Sequence, residues 1–235
     1  MKKNNTSRPD IPEILYEDNH LIAVWKRPSD LTQRDKSGDE SLDDQVRKYI
    51  AAKYNKPGDV FLGVVHRLDR PVSGVMLYAR TSKALARLNA MFRSREVKKV
   101  YWALVKERPP EDEQTLTHFI KKNESQNKAY SYDKEVKGSK EASLSYKLLA
   151  RSDRYYLLEI ELHTGRHHQI RSQLSAIRCP VKGDLKYGYP RSNEDGSVCL
   201  HARRLIFIHP VQKVEMTITA HLPEGDVWQY FKYMD

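Results

Sequence analysis

A sharp turn between two apolar runs, at residues 65–75, constrains the fold more than any other part of this sequence. The run over residues 60–65 is too short for an ordinary helix, so it predicts a buried strand or another core segment. The run over residues 75–79 predicts a second strand. Pro71 and Gly74 are residue types that interrupt regular structure and favour turns. The sequence therefore predicts a rigid turn held between two buried segments.

The turn carries one carboxylate, Asp69, which lies between Arg67 and Arg70 in the sequence. Strands on both sides would fix the position of this carboxylate, and fixed geometry is what a catalytic group requires. Aspartate is also common in turns because its side chain hydrogen-bonds to the nearby backbone. Taken alone, the local sequence favours that second, structural interpretation.

Basic residues are concentrated in two zones of the chain. The sequence contains 41 Lys and Arg against 31 Asp and Glu, for a net charge of +10. Residues 80–108 contain nine basic and two acidic side chains, and residues 163–191 contain six and one. The remainder of the chain is net negative. This zoning favours a protein that binds a polyanion such as nucleic acid over a protein with a generally lysine-rich surface.

Composition argues against several other classes of protein. Two cysteines, Cys179 and Cys199, provide neither a disulfide framework nor a four-ligand zinc site. No apolar run approaches the roughly 18 residues that span a membrane. Residues 1–10 are polar and lack the apolar segment of a signal peptide, so we expect them to form a disordered tail. We therefore expect a reduced, cytoplasmic protein and a monomer.

Apolar periodicity predicts a mixed, strand-rich chain. Alternating residues predict an antiparallel hairpin formed by residues 143–150 and 155–162. Helical spacing predicts one helix over residues 41–54 and another that begins at Thr81. Further strands are predicted over residues 21–25, 97–105 and 214–219.

A second segment that contains residues suited to binding or catalysis spans residues 162–171. Gly165 permits a sharp transition from strand to helix, and we expect the helix to begin near His167. The N-terminal end of a helix carries a positive dipole and free amide donors. Arg166 precedes this end and Arg171 lies about one turn inside it. The arrangement suits either phosphate binding or pairing with a buried carboxylate.

Histidines in the same segment raise the alternative of a metal site. His163, His167 and His168, together with His66 or Asp69, are residue types that bind metal ions. The four-residue spacing from His163 to His167 is typical of helical metal ligands, but the intervening glycine makes a continuous helix unfavourable. A metal-dependent nuclease is the function that this alternative predicts.

Three segments together resemble the RluA-type pseudouridine synthases, which isomerise uridine in structured RNA. They are His-Arg-Leu-Asp at 66–69 followed by Ser-Gly at 73–74, Lys-Val-Tyr-Trp-Ala at 99–103, and Thr-Gly-Arg-His-His-Gln-Ile-Arg at 164–171. The resemblance runs from about residue 14 to about residue 222. It implies an α+β fold, with a largely antiparallel mixed sheet, flanking helices and a central active-site cleft.

The resemblance also implies a domain organisation. Many relatives carry a small RNA-binding domain, of the S4-like kind, before the catalytic domain, and we expect none here because only about ten polar residues precede it. We expect a disordered tail over residues 1–10 and one catalytic domain over residues 11–235. The implied activity is an isomerase that converts uridine in ribosomal or transfer RNA to pseudouridine, with RNA as the partner and with neither cofactor nor metal.

Carried over by position, the resemblance assigns roles to individual side chains. Asp69 would be the essential carboxylate, acting either at the ribose C1′ as nucleophile or at C2′ as base. Tyr101 would lie against the target base, and Arg171 would pair with Asp69. The implied substrate-binding residues are His66, Arg67, Arg70, Lys99, Arg166, His168 and Gln169.

Some positions depart from the family pattern. His167 stands where many members have Thr, Gln173 where many have His, and Val72 where Thr is common. Residues 25–28, Trp-Lys-Arg-Pro, match the usual Asn-Lys-Pro only approximately. These departures indicate a subfamily difference. An RNA-binding ribosome-assembly factor without catalysis is the remaining alternative.

Overall fold

The computed structural model describes residues 11–34 and 38–234. Within these residues, eleven strands form one sheet and three α-helices pack on it. The strands are β1 (Glu13–Glu17), β2 (Leu21–Lys26), β3 (Gly63–Val64), β4 (Ser73–Ala79), β5 (Lys98–Val105), β6 (Glu113–Asn123), β7 (Lys128–Tyr132), β8 (Lys140–Arg151), β9 (Tyr156–Leu162), β10 (Leu200–Ile208) and β11 (Glu215–Thr219). The helices are α1 (Leu42–Lys53), α2 (Ser82–Ser94) and α3 (Gln169–Ala176), with 3₁₀ helices at Leu185–Tyr187 and Asp226–Met234. The predicted tail over residues 1–10 lies outside the described residues.

The sheet is antiparallel except at its centre. Its main order is β1-β2-β4-β10-β5-β9-β8-β6-β7, with β3 paired to β4 and β11 paired to β10. Only β4 and β10, among the described strands, run parallel, with His201 beside Ser73 and Ala202 beside Gly74. The long crossover that a parallel pair requires is supplied here by most of the chain. The predicted α+β fold with a largely antiparallel mixed sheet is confirmed.

Helices cover both faces of the sheet because the central strands bury side chains on both sides. On α1, Leu42, Val46 and Ile50 recur every four residues and are all buried. They join one large apolar cluster, while Leu88 of α2 joins a second cluster on other strand positions. Each buried aliphatic side chain contributes roughly 1.5–3 kcal/mol by leaving water. The predicted helices over residues 41–54 and from Thr81 are confirmed.

The two apolar runs around the Asp69 turn are only partly in the sheet. Of residues 60–65, only Gly63 and Val64 are in a strand, and Phe61 is 47% exposed. Gly74, expected in the turn, lies instead in β4 with φ +121°. A β-carbon at Gly74 would lie 2.6 Å from the Ala202 nitrogen of β10. The glycine is therefore needed for close approach of two strands, rather than for the turn.

The strand-to-helix transition before α3 also differs from the expectation. The left-handed backbone lies at His168, with φ 48° and ψ 30°, rather than at Gly165. Gly165 has an ordinary φ and open space around it. A non-glycine residue in this region is uncommon, although histidine tolerates it better than most residues. The left-handed backbone thus occurs at His168, whose side chain faces the cleft described below.

Candidate active site

A cleft of about 1100 Å³ lies over the centre of the sheet. It is lined by residues 31–34, residues 65–72, the start of β5, residues 162–171, and a few side chains from neighbouring segments. Asp69 is the one carboxylate among the described lining residues. The basic lining residues are Arg34, Arg67, Arg70, Arg93, Arg95, Lys99, Lys122, Arg166, Arg171 and Lys186. The two basic zones of the sequence therefore meet around one aspartate.

The loop that carries Asp69 is held by hydrogen bonds from several directions. The Thr32 hydroxyl donates to the Leu68 carbonyl at 3.0 Å and accepts from the Leu68 N–H at 3.3 Å. The Val72 N–H donates to the Asp69 carbonyl at 3.0 Å, and the Val198 N–H donates to the Pro71 carbonyl at 3.1 Å. Loop backbone fixed in this way cannot move without breaking several of these bonds. The carboxylate therefore has a defined position.

Lys26 is a further anchor that the sequence reasoning missed. It is fully buried at the end of β2. Its Nζ donates to the carbonyls of Arg27 and Arg70 at 3.0 Å each, and to that of Val72 at 2.7 Å. A lysine that closes an otherwise apolar strand is the only signal in the sequence. Its role depends on a loop 44 to 46 residues further along the chain.

Arg171 joins Asp69 to a second carboxylate, Asp184. Its Nη1 donates to Asp69 Oδ2 at 2.9 Å. Its Nε and Nη2 donate to the two oxygens of Asp184 at 2.6 and 2.9 Å. The side chains of Arg171 and Asp184 are 6% and 1% exposed, while that of Asp69 is 27% exposed. Asp69 Oδ1 accepts no hydrogen bond from any residue that the structure describes.

The charge of Arg171 is stabilised by these partners. Burial acts against the charged form, but the hydrogen bonds and charges of Asp184 and Asp69 outweigh it and raise the pKa of Arg171. The predicted contact between Arg171 and Asp69 is present as the hydrogen bond to Oδ2. Asp184 was not predicted as a site residue, because a Gly-Asp turn alone does not indicate an arginine partner.

Tyr101 lies on β5 within the cleft and is 8% exposed. Burial, together with the negative charge of Asp69, raises the pKa of its phenol well above the usual value. The side chain is therefore neutral at physiological pH. An aromatic ring at this place offers a stacking surface for a base.

His66 lines the cleft, but one of its ring nitrogens serves the backbone. Its Nε2 accepts from the Leu77 N–H at 3.0 Å, and its ring stacks on Phe92 with 5.3 Å between centroids. Burial, with a smaller contribution from Lys99, lowers the pKa of His66 to about 4. The neutral ring therefore fixes the start of the Asp69 loop against β4.

Two neighbouring residues at the start of α3 have different environments. His168 Nδ1 lies 2.9 Å from the Tyr187 hydroxyl, and His168 Nε2 lies 3.6 Å from Asp69 Oδ2. Gln169 instead uses its amide inside the protein: Oε1 accepts from Thr164 and from the Arg166 N–H, at 2.8 and 2.9 Å. Its Nε2 donates to the Ser143 carbonyl and to Gln173. Gln169 thus shapes the turn, whereas His168 faces the carboxylate.

The remaining predicted residues form the basic rim. Arg67 is exposed, and Arg70 forms an exposed ion pair with Asp39 at 2.8 Å. Arg166 donates from Nε to the Glu141 carbonyl at 3.0 Å. Lys99 is half-buried, and burial together with Arg95 lowers its pKa. An anionic ligand would relieve this crowding of positive charge.

The histidines of the metal alternative do not converge on one point. His163 Nε2 pairs with the Ser145 hydroxyl at 2.8 Å, and His66 and His168 have the partners given above. Over residues 11–34 and 38–234, no group of three or more His, Cys, Asp or Glu is arranged to hold a metal ion. No helix in the same ranges is long and apolar enough to cross a membrane.

Comparison with known proteins identifies the family. Residues 20–176 match the family model for RNA pseudouridylate synthase. The chain is 31% identical to tRNA pseudouridine synthase C of Vibrio cholerae, over 92% of this chain and 93% of that protein. It is 34% identical to ribosomal large subunit pseudouridine synthase D of Xylella fastidiosa, over 92% of this chain and 67% of that protein. The solved structure of human RNA pseudouridylate synthase domain containing 4 shares the fold, with a TM-score of 0.74 at 23% identity over 90% of this chain and 89% of that chain. The chain belongs to the RNA pseudouridylate synthase family and is an isomerase that acts on uridine in RNA.

Proposed function

We propose that Asp69 is the essential carboxylate in a cofactor-independent isomerisation of specific uridines in transfer or ribosomal RNA. The observation that carries the proposal is that Asp69 is the one carboxylate, beside ten basic side chains, among the described residues that line the cleft. The relatives named above act on transfer RNA and on the large ribosomal subunit, so both RNA classes are included. Residues 11–235 would form one catalytic domain that acts as a monomer.

The basic rim would bind the RNA backbone. A target uridine must leave its stack to reach Asp69, which costs on the order of a few kcal/mol. Contacts between phosphates and Arg67, Arg70, Lys99 and Arg166 would offset that cost, and they would weaken as salt concentration rises. Tyr101 would then stack on the extruded uracil within the cleft.

Arg171 holds one oxygen of Asp69, and the other accepts no hydrogen bond from the described residues. Arg171 binds Oδ2 and keeps the carboxylate ionised, because an adjacent cation favours the charged form. Oδ1 would then act on the ribose, either by attack at C1′ or by removal of the proton at C2′. In both routes the N1–C1′ bond breaks, uracil rotates, and C5 bonds to C1′. In the first route the new Oδ1–C1′ bond breaks as C5 bonds to C1′, and in the second route the protonated Asp69 returns its proton to C2′. The proton lost from C5 is balanced by one gained at N1, so the reaction consumes no water, oxidant or reductant.

The test maps pseudouridine in total RNA from a strain that lacks this gene, compared with its parent, by carbodiimide labelling. Wild-type protein, Asp69→Asn, and the control Asp133→Asn would be added back; Asp133 is 96% exposed, so its substitution removes a charge without touching the cleft. We expect one or a few sites to disappear and to return with wild type and Asp133→Asn only. Restoration of the sites by Asp69→Asn would refute the assigned role of Asp69. Rescue of growth by Asp69→Asn without restoration of the sites would favour the assembly-factor alternative.

A further inference from the structure

The Tyr187 phenol has two hydrogen-bond partners, and one of them can only donate to it. Tyr187 is buried in the 3₁₀ helix Leu185–Tyr187. Its oxygen accepts from the Ala129 N–H at 2.8 Å and lies 2.9 Å from His168 Nδ1. Because a backbone N–H can only donate, the phenol proton remains available for Nδ1. Donation of that proton to His168 would make Nδ1 the acceptor.

His168 is neutral in this environment. Burial lowers the pKa of its ring to about 3 against the opposing charge of Asp69, with smaller lowering effects from Arg171, His167 and Lys186. A neutral imidazole carries one ring proton. With Nδ1 as the acceptor of the phenol proton, the ring proton would be on Nε2.

The Nε2–H faces the catalytic carboxylate. Nε2 lies 3.6 Å from Asp69 Oδ2, the same oxygen that Arg171 binds at 2.9 Å. This distance is longer than a hydrogen bond, but catalytic hydrogen bonds often shorten when a substrate binds. The ring is held in this direction by stacking on His167 at 3.8 Å and by the left-handed backbone at His168.

We propose that Tyr187 is a positioning residue that sets the tautomer of His168, so that Nε2–H and Arg171 together hold Asp69 Oδ2 and leave Oδ1 free for the ribose. The opposite tautomer would present a lone pair to the carboxylate and repel it. This inference rests on the role proposed for Asp69. It assigns a function to the Gly-Asp-Leu-Lys-Tyr turn at residues 183–187, to which sequence reasoning gave none.

The direct test is the tautomer itself, read from long-range ¹H–¹⁵N correlations of the histidine rings. The chain has nine histidines, and the His168 signals are identified by their loss in a His168→Asn variant. In wild type we expect the Nε2–H tautomer at neutral pH. In Tyr187→Phe, which keeps the ring that packs 5.1 Å from the Arg171 guanidinium, we expect a substantial population of the Nδ1–H tautomer.

Turnover on the RNA identified by the pseudouridine map provides the second readout. Tyr187→Phe should lower kcat about tenfold with little change in KM, a factor equivalent to one hydrogen bond of about 1.4 kcal/mol. The matched control is Tyr146→Phe, which also removes a buried phenol, one that donates to Gln114 at 3.1 Å outside the cleft. This control should keep the wild-type kcat and the wild-type His168 tautomer.

Three results would overturn the inference: an Nδ1–H tautomer in wild type, an unchanged tautomer in Tyr187→Phe, or an equal loss of kcat in both phenol variants. The spectra report on the tautomer whether or not the protein is active. A wild-type protein that forms no pseudouridine in any RNA would instead refute the proposed function, which keeps the two failures distinguishable.

Discussion

Replacement of Arg171 by methionine should destabilise the protein mainly through Asp184 rather than through Asp69. The Asp184 side chain is 1% exposed and loses both of its hydrogen bonds to the guanidinium. An unpaired buried carboxylate costs about 3–5 kcal/mol. Asp69 loses one bond but is 27% exposed, so water can solvate it at a cost of about 1 kcal/mol or less.

A double-mutant cycle separates these contributions. Asp184→Asn introduced into Arg171→Met removes the unpaired charge, so most of the lost stability should return. We expect a coupling energy of about 2 kcal/mol or more for Arg171 with Asp184, and less than about 1 kcal/mol for Arg171 with Asp69. Equilibrium urea unfolding measures both couplings, provided that the m-values agree between variants.

Turnover, in contrast to stability, should depend on the contact between Arg171 and Asp69. Arg171→Met leaves Asp69 Oδ2 without its cation, so turnover should fall about 100-fold or more through loss of orientation. The Arg171→Met/Asp184→Asn protein should regain stability while turnover stays low. Recovery of turnover together with stability, or a larger coupling to Asp69 than to Asp184, would refute this division of roles.

Two further predictions concern the scaffold of the cleft. Acidification from pH 7 to pH 4 should cost the folded protein about 3 kcal/mol through His66, because its pKa is about 4 when folded and about 6.5 when unfolded. Between these values the unfolded state binds the proton and the folded state does not, so stability is lost as pH falls; His66→Gln should remove this part of the loss in a pH series of urea unfolding, and an unchanged pH slope would contradict it. Gly74→Ala should destabilise by about 3 kcal/mol or more, because its β-carbon would lie 2.6 Å from the Ala202 nitrogen, whereas Gly165→Ala, with no atom within 4 Å, should change stability by less than about 1 kcal/mol. Similar thermal midpoints for the two alanine variants would argue against a close-packed β4–β10 contact.

The sequence was most informative where function depends on short segments. Residues 66–69, 99–103 and 164–171 are short motifs whose resemblance to one family implies that Asp69, Tyr101 and Arg171 lie together. Apolar periodicity likewise predicts α1 and α2, because a helix buries one face at a fixed spacing. These features follow from local rules and needed no knowledge of distant contacts.

The supporting residues could not be found in this way. Lys26 acts on carbonyls 44 and 46 residues away, and its sequence position shows only a lysine at the end of an apolar strand. Asp184 and Tyr187 follow α3 in an irregular turn, and their partners are chosen by how that turn folds back on the helix. Gly74 was assigned to a turn because the approach of β10, more than a hundred residues later, is not visible in its own segment.

The sequence by itself determined the family, through the resemblance of three short motifs, and that resemblance implied the fold class and the three side chains expected to do the chemistry. Only the tertiary structure decided which oxygen of Asp69 is held, which carboxylate stabilises Arg171, and which ring nitrogen of His168 faces the cleft. Those choices depend on distances of about 3 Å between segments far apart in the chain. Hydrogen bonds and ion pairs act over such distances, whereas sequence periodicity reports only on which face of an element is buried.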